Sequence, residues 1–417
     1  MSDLTAPARE PTAGSVLFVT AVRLRRGPQG LQIDDQTAAG LCRWAEHFRH
    51  VTFGGILIER EKEEQTSVTW IDVRDLACHD RLSFVELPFA YKITSFFKQY
   101  RATRRRLAEE IRKADHLCFT LGYLFGDWAG VAALEAISQN RRYAAWFDRV
   151  EHDILRNEFS SFSFPRRMKE RLTIPVMIAY HRYLTRRSAV GLFQGRDTYN
   201  AYARYSSNPN VIYDVHTQKT DRIPAAELQA KLERIASGGP LRICYAGRMA
   251  PMKGPEDWID SIGHAIGVGV TLKARWLGDG PLFDKTKANV HEKGLDGGIV
   301  LEGYVSDRAT LFSALRDSDL FVFCHKTPES PRCLIEALVC GCPIVGYRSA
   351  YPEGLVEEGG GVMTPPHDPK ALGQVIAGHD ANRPALAELL RQAARAGERF
   401  DEETVYAHRA RLVSDFT

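Results

Sequence analysis

Two stretches of the sequence hold the side chains best suited to chemistry: YAGRMAPMKG (residues 245–254) and FVFCHKTPESPRCLIEALVCGCPIVGY (residues 321–347). The longer stretch reads as a buried strand, a polar turn and a helix that carries Glu336. A helix opening after a polar turn offers free backbone N–H groups and a positive dipole end to phosphate oxygens. Arg248 and Lys253, at the end of a separate strand, would add full charges to the same anion. Glu336, one turn into its helix, can accept hydrogen bonds from paired hydroxyls, as a ribose requires. These parts suit gripping a sugar joined to a diphosphate.

Elements able to position such groups recur along the chain. Short apolar runs alternate with helical sequence, the pattern of parallel sheets with crossover helices. SVLFVTAV (residues 15–22) reads as a first buried strand, followed by the loop RLRRGPQGLQ and a helix from Asp34 to about His50. VTFGGILIE, HLCFTLG, RYAAWFDRV and SAVGLFQG read as later strands. From Pro240 the rhythm restarts with LRICYAGR, TLKARWLGDG, GIVLEGYV, LFVFC and PIVGY. Gly238, Gly239 and Pro240 interrupt it, which sets a domain boundary there. The expectation is an α/β chain of two doubly wound parallel-sheet domains, residues 15–238 and 239–395. A disordered tail (1–14) precedes them, and a C-terminal helix (396–417) packs back on the first domain. In such sheets the ligand lies outside the carboxyl ends of the strands, in a cleft between the halves.

At 417 residues the chain exceeds the roughly 250–300 at which one core stops growing, in keeping with two domains. Hydrophobic content of 44% and charged content of 26% are those of a globular protein. No apolar run approaches the ~18 residues of a membrane-spanning helix, and the start of the chain is not that of a secretory signal. The expected location is the cytosol, with peripheral attachment to the inner membrane face as a variant. The eight cysteines are expected to be buried reduced thiols. The net charge of +3 conceals an asymmetry: residues 1–240 hold 35 Lys and Arg against 28 Asp and Glu, and the remainder 20 against 24. Within the basic half, YKITSFFKQYRATRRRLAEEIRK (residues 91–113) reads as an amphipathic helix. It can lie on an anionic membrane surface or pack its apolar stripe on its own domain. A second basic run spans residues 165–187. Nucleic acid is not an expected partner, since no nucleic-acid-binding motif accompanies the charge.

From residue 241 to about 372 the sequence resembles the donor domain of retaining nucleotide-sugar glycosyltransferases of the GT-B fold, specifically family 4 (glycosyltransferase group 1). The resemblance rests on AGRMAPMKG, WLGDGPL, LEGYVSDRATL, the Glu336 helix, GCPIVGY and GLVEEGGGVMTPPHDPKAL, in that order. It implies two Rossmann-like domains facing a central cleft. It also implies that Arg248 and Lys253, after Gly247, bind the diphosphate. Residues around Gly278 and Gly280, with Gly303, Tyr304 and Val305, lie against the base, and Glu336 binds the ribose. The family's first glutamate, eight residues before the second, is Pro328 here, and Glu329 is one position closer. Either the turn is one residue shorter and Glu329 does the work, or the sugar is held differently. The usual Gly-rich turn is replaced by SPRCL, where Ser330, Arg332, Cys333 and Leu334 become donor contacts, with His325 beside them.

The first domain resembles the family more loosely. Gly27 and Gly30 stand where the family places a glycine-bearing loop at the cleft. Where the family often has a histidine after a mid-domain strand, this chain has Asp148, with His152 one turn further. Asp127 in GYLFGDWAG could shape an acceptor pocket or cap a helix. No Walker motif, nicotinamide-type GxGxxG or metal-binding HExxH occurs. The resemblance implies metal-independent transfer with retention, in polysaccharide or glycolipid biosynthesis. The nucleotide-diphosphate sugar is co-substrate, with no further cofactor, and the acceptor is a saccharide, a lipid-linked glycan or a small molecule. Sugar-nucleotide epimerases, inverting transferases and non-catalytic binders share the same nucleotide half.

Overall fold

The computed structural model describes residues 13–58, 69–159, 162–327 and 329–417. Of the tail expected over residues 1–14, residues 1–12 lie outside this description, as does Pro328, and Ala13 and Gly14 already belong to the first strand. The chain divides into two compact units, residues 1–212 with 406–417 and residues 213–405.

The first unit holds β1 (Ala13–Arg26), β2 (Leu31–Asp34), β3 (Phe48–Ile58), β4 (Trp70–Asp72), β5 (Leu82–Pro88), β6 (His116–Thr120), β7 (Ala144–Phe147), β8 (Val190–Gln194) and β9 (Pro209–Ile212). Among the described residues, parallel pairing gives the order β5-β3-β1-β6-β7-β8-β9. Strand β1 is apolar at every position from Val16 to Val19 because both faces of the sheet are covered. Leu17 and Val19 point into one core with Phe119 and Phe147, and Val16 and Phe18 into the other with Trp44 and Phe48.

Three expectations need correction here. Residues 23–32 are not a loop, because β1 continues to Arg26 and turns back into antiparallel β2, pairing Leu24 with Ile33. The helix expected to about His50 spans Asp35–Ala45, because β3 already begins at Phe48, with Val51 and Phe53 alternating into the core. Cys42 and Cys78 form a disulfide instead of remaining reduced. Of the two readings left open for the basic helix Ile93–Lys113, its apolar stripe packs on its own domain: Phe96, Leu107 and Ile111 lie in the core, while Ile93 and Phe97 at its start are exposed.

The second unit holds β10 (Leu241–Ala246), β11 (Leu272–Leu277), β12 (Ile299–Gly303), β13 (Leu320–Phe323), β14 (Ile344–Tyr347) and β15 (Gly361–Thr364). They form one parallel sheet in the order β12-β11-β10-β13-β14-β15. The unit begins at Tyr213 and not at 239, because Val215 and the helix Ala225–Ala236, through Leu232 and Ile235, join its core. It runs to Val405, beyond the expected 395, since Phe400 and Val405 are also core residues. The last helix is Glu402–Phe416, and its Tyr406, Ala410 and Val413 are buried in the first unit beside Trp44. Among the described residues no helix is long and apolar enough to cross a membrane.

Candidate functional site

Strand β10 ends at Ala246, and the chain then passes along the carboxyl end of the sheet. Its backbone is joined there to the turn after β11. Gly247 N–H donates to Leu277 O (2.9 Å), Met249 N–H to Asp279 O (2.9 Å), and Leu282 N–H to Met249 O (3.1 Å). Gly278 (φ +150°) makes this approach possible, since a Cβ there would stand 2.0 Å from Gly247 O. Gly280 lies in the same turn. Gly278 N–H in turn donates to Gly303 O (2.7 Å), which places the end of β12, the exposed Tyr304 and the half-buried Val305 beside it. Arg248 leaves this loop exposed, and among the described residues its guanidinium meets no carboxylate.

The short turn Pro251–Lys253 brings the same loop against the exit from β13, where Lys326 N–H donates to Met252 O (2.8 Å). Lys253 Nζ lies 2.7 Å from Glu329 Oε1. His325 Nδ1 lies 3.7 Å from the same carboxylate oxygen, and its Nε2 shares a 2.8 Å hydrogen bond with the Tyr245 hydroxyl. Burial and the Lys253 charge hold His325 well below its ordinary pKa, so the ring is neutral. The side chain of His325 is buried; it supports Glu329 and was expected instead to touch the donor. The one-residue shift of Glu329 therefore leaves it ion-paired to the expected diphosphate cation.

Glu336 sits on the helix Arg332–Val339. Pro331 precedes the helix. Its end is closed by Gly341 in the left-handed conformation (φ +61°), with Gly341 N–H to Leu338 O and Cys342 N–H to Ala337 O, both 2.9 Å. Helix geometry leaves the N–H groups of Arg332 and Cys333 without intrahelical acceptors. Ser330, Arg332 and Cys333 are half-buried at this end. Burial pushes the Cys333 thiol up to about 12, which removes it as a nucleophile. Leu334 corrects an expectation: it is wholly buried, its N–H bonded to Pro331 O, and it serves the core. The Glu336 carboxylate has no hydrogen-bond partner among the described residues. Burial raises its pKa, opposed by the neighbouring charges of Arg308, Arg332 and His216. An uncommitted carboxylate among cations is a ready acceptor for ligand hydroxyls.

In the first unit the expected residues are less closely grouped. Gly27 and Gly30 form the tip of the β1–β2 hairpin, where Gly27 N–H donates to Gly30 O (2.7 Å) and Gly30 abuts Arg74. The family-like loop after the first strand is thus replaced by a hairpin. Asp148 is exposed after β7. Asp127 caps the helix Trp128–Ser138 through Ala129 N–H (3.0 Å) and also accepts from Gly122 N–H (3.0 Å). His181 Nε2–H donates to Gly122 O (2.9 Å), and its Nδ1 accepts from the Tyr202 hydroxyl (3.3 Å). Tyr202 accepts from His152 Nδ1 (3.4 Å). This chain joins Asp127 to His152 through His181 and Tyr202. No motif marks those two linking residues, which lie on helices whose pairing is a tertiary matter.

Residues 240–379 match the family described as Glycosyl transferases group 1. A putative colanic acid biosynthesis glycosyltransferase, WcaL, of Escherichia coli K12 is 26% identical over 149 residues, 34% of this chain and 36% of that protein. The match thus spans little more than a third of the curated relative. The solved structure of Anabaena HepE with UDP superposes with a TM-score of 0.65 at 16% identity, covering 97% of this chain and 100% of that one. A glycosyltransferase from Rickettsia africae gives a TM-score of 0.62 at 13% identity, covering 97% and 99%. The chain therefore has the GT-B fold, and its residues 240–379 are similar to the domain described as Glycosyl transferases group 1.

Proposed function

We propose that this protein is a metal-independent, retaining glycosyltransferase that moves a sugar from a nucleotide-diphosphate sugar to a hydroxyl acceptor in polysaccharide or glycolipid synthesis. The observation that carries the reading is the convergence, at one end of the second sheet, of Arg248, Lys253, Glu329 and the unpartnered Glu336 at a helix start. Glu336 accepts from the ribose hydroxyls. Arg248, Lys253 and the N–H groups of Arg332 and Cys333 take the diphosphate, and Tyr304 with the Gly278–Gly280 turn takes the base. The bond from the anomeric carbon to the diphosphate oxygen breaks as the bond to the acceptor oxygen forms on the same face. The acceptor proton passes to the leaving phosphate. Charge developing on that phosphate is what the cations stabilise, and such terms are usually the largest in catalysis. A uridine nucleotide is the first donor class to test, since the Anabaena structure is a UDP complex. Thermal-shift screening against uridine, guanosine and adenosine diphosphate sugars identifies the donor through mass-action stabilisation. NMR of the product then reads the anomeric configuration. An inverted product would overturn retention, and no stabilisation by any nucleotide sugar would overturn the reading as a whole.

A further inference from the structure

The helix Phe164–Arg187 buries Glu170, Ile174, Met177, His181 and Leu184 and presents an apolar outward face. Phe164, Met168, Leu172 and Val176 recur every fourth residue, and Tyr183 continues the line; Phe164 is 70% and Leu172 73% exposed. Side chains of this size lined up in solvent over several turns mark a surface that something covers. The helix carries seven Lys and Arg against a single acid, Glu170, and that carboxylate is buried and bonded to Tyr123 and Thr173. The face therefore offers the partner only positive charge.

At the C-terminal end of this face is a cavity of about 300 Å³ lined by Arg182, Arg204, Tyr205 and Tyr202, with Arg156 at its wall ion-paired to Asp153 (3.0 Å). Arg182, Arg186 and Arg204 converge on one ring, their guanidinium carbons 5.2, 5.2 and 4.8 Å from the centre of Tyr205. None of the three meets a carboxylate among the described residues. Cations gathered this closely repel one another until an anion enters between them. An apolar stripe that ends in three arginines without a carboxylate partner matches the layering of a phospholipid surface, acyl region beside phosphate.

We propose that the outward face of helix Phe164–Arg187 docks on a bilayer of anionic phospholipid, with a lipid phosphate received between Arg182 and Arg204 beside Tyr205. The proposal deepens the transferase reading by making the acceptor membrane-borne, and it assigns the contact to this helix and not to Ile93–Lys113, whose stripe is spent in the core.

The full chain is sedimented with phosphatidylcholine vesicles, alone or with about a third phosphatidylglycerol. Capture by the anionic vesicles, falling steeply with salt, is expected. Leu172→Asp with Val176→Asp should abolish it. Arg182→Ala with Arg204→Ala should weaken it by a factor on the order of ten or more, from about fivefold per cation. All four positions are exposed, circular dichroism checks that the variants fold, and Phe164→Ser with Met168→Ser provides a second apolar test. Absence of capture, or capture undiminished in both apolar variants, overturns the docking. Undiminished capture in the arginine variant, or binding of inorganic phosphate without binding of vesicles, overturns the lipid-phosphate cavity. Vesicle capture needs no donor, so its failure leaves the transferase reading standing. Loss of donor consumption with capture intact counts against that reading alone.

Discussion

Lys253 Nζ and Glu329 Oε1 stand 2.7 Å apart, each side chain largely shielded from solvent. The carboxylate therefore neutralises the cation to which the proposed function assigns the diphosphate. Binding has to exchange one anion for another or share the ammonium between them. The two partners should respond differently to substitution. Lys253→Ala removes a cation from the leaving group and should lower transfer by about 10²–10³-fold. Glu329→Gln frees the ammonium, so UDP should bind as tightly as before or tighter while transfer falls. Calorimetry of UDP binding beside initial rates separates the two effects. Weaker UDP binding in Glu329→Gln would show that the glutamate does not compete for Lys253.

Glu336 makes a pH-dependent prediction. Burial raises its pKa above the ordinary 4.5, and only the ionised form accepts from both ribose hydroxyls. Nucleotide affinity should thus begin to fall at a higher pH than an unshifted glutamate would dictate. Glu336→Gln should lose on the order of 10–100-fold in affinity at neutral pH, the worth of a charge-assisted hydrogen bond. It should also flatten the acid limb. The stability effect has the opposite sign. Because the folded pKa is raised, the unfolded chain releases its proton first, and stability declines as pH rises through the folded value. Glu336→Gln should then be the more stable protein at neutral pH, an advantage that vanishes towards pH 4. Parallel melting curves across that range would count against a raised carboxylate pKa at Glu336.

The approach of Gly278 to Gly247 O is a third point of test. A methyl group placed 2.0 Å from that oxygen must push apart the two loops that carry Arg248 and the base-facing turn. Gly278→Ala should lower stability by about 1–3 kcal/mol and weaken UDP binding without touching a ligand-facing side chain. Gly267→Ala, where no atom lies within 4 Å, is the control. Equal behaviour of the two variants would mean that the loop contact does not matter.

The second unit was legible because its apolar strands are buried on both faces and are read directly as runs, LRICYA and FVFC, each followed by polar residues. Lys253 and Glu329 were individually legible. Their pairing was not, since it depends on the backbone bond from Lys326 to Met252, a tertiary contact with no sequence period. Gly27 and Gly30 misled because a glycine-rich segment serves a loop and a hairpin tip alike, and only pairing with β2 decides between them. The helix Ile93–Lys113 left two readings open because its apolar spacing fixes which residues share a face but not what that face meets. The boundary at residue 238 followed composition, whereas the division at 212 follows the core, which recruits Leu232 and Ile235 from a helix before the glycines.

The Gly122 peptide is held on both sides, its N–H by Asp127 and its carbonyl by His181, and both side chains are buried. Burial pushes Asp127 up to about 7 against the pull of backbone N–H groups, and draws His181 down to about 4. Their effects on stability oppose each other. Between about pH 4 and 7 the folded state keeps a proton on Asp127 that the unfolded chain has lost, so this group makes stability decline as pH rises. Between about 4 and 6.5 the unfolded chain protonates His181 while the folded state does not, so this group makes stability decline as pH falls. Asp127→Asn should expose the histidine slope alone. Relative to the parent its unfolding free energy should rise with pH across this window, by up to about 4 kcal/mol at the upper end. Urea unfolding of both proteins at matched pH values measures that difference directly, since the other titrations cancel. A difference that stays constant from pH 4 to 7 would place Asp127 in contact with water and remove the opposing pair.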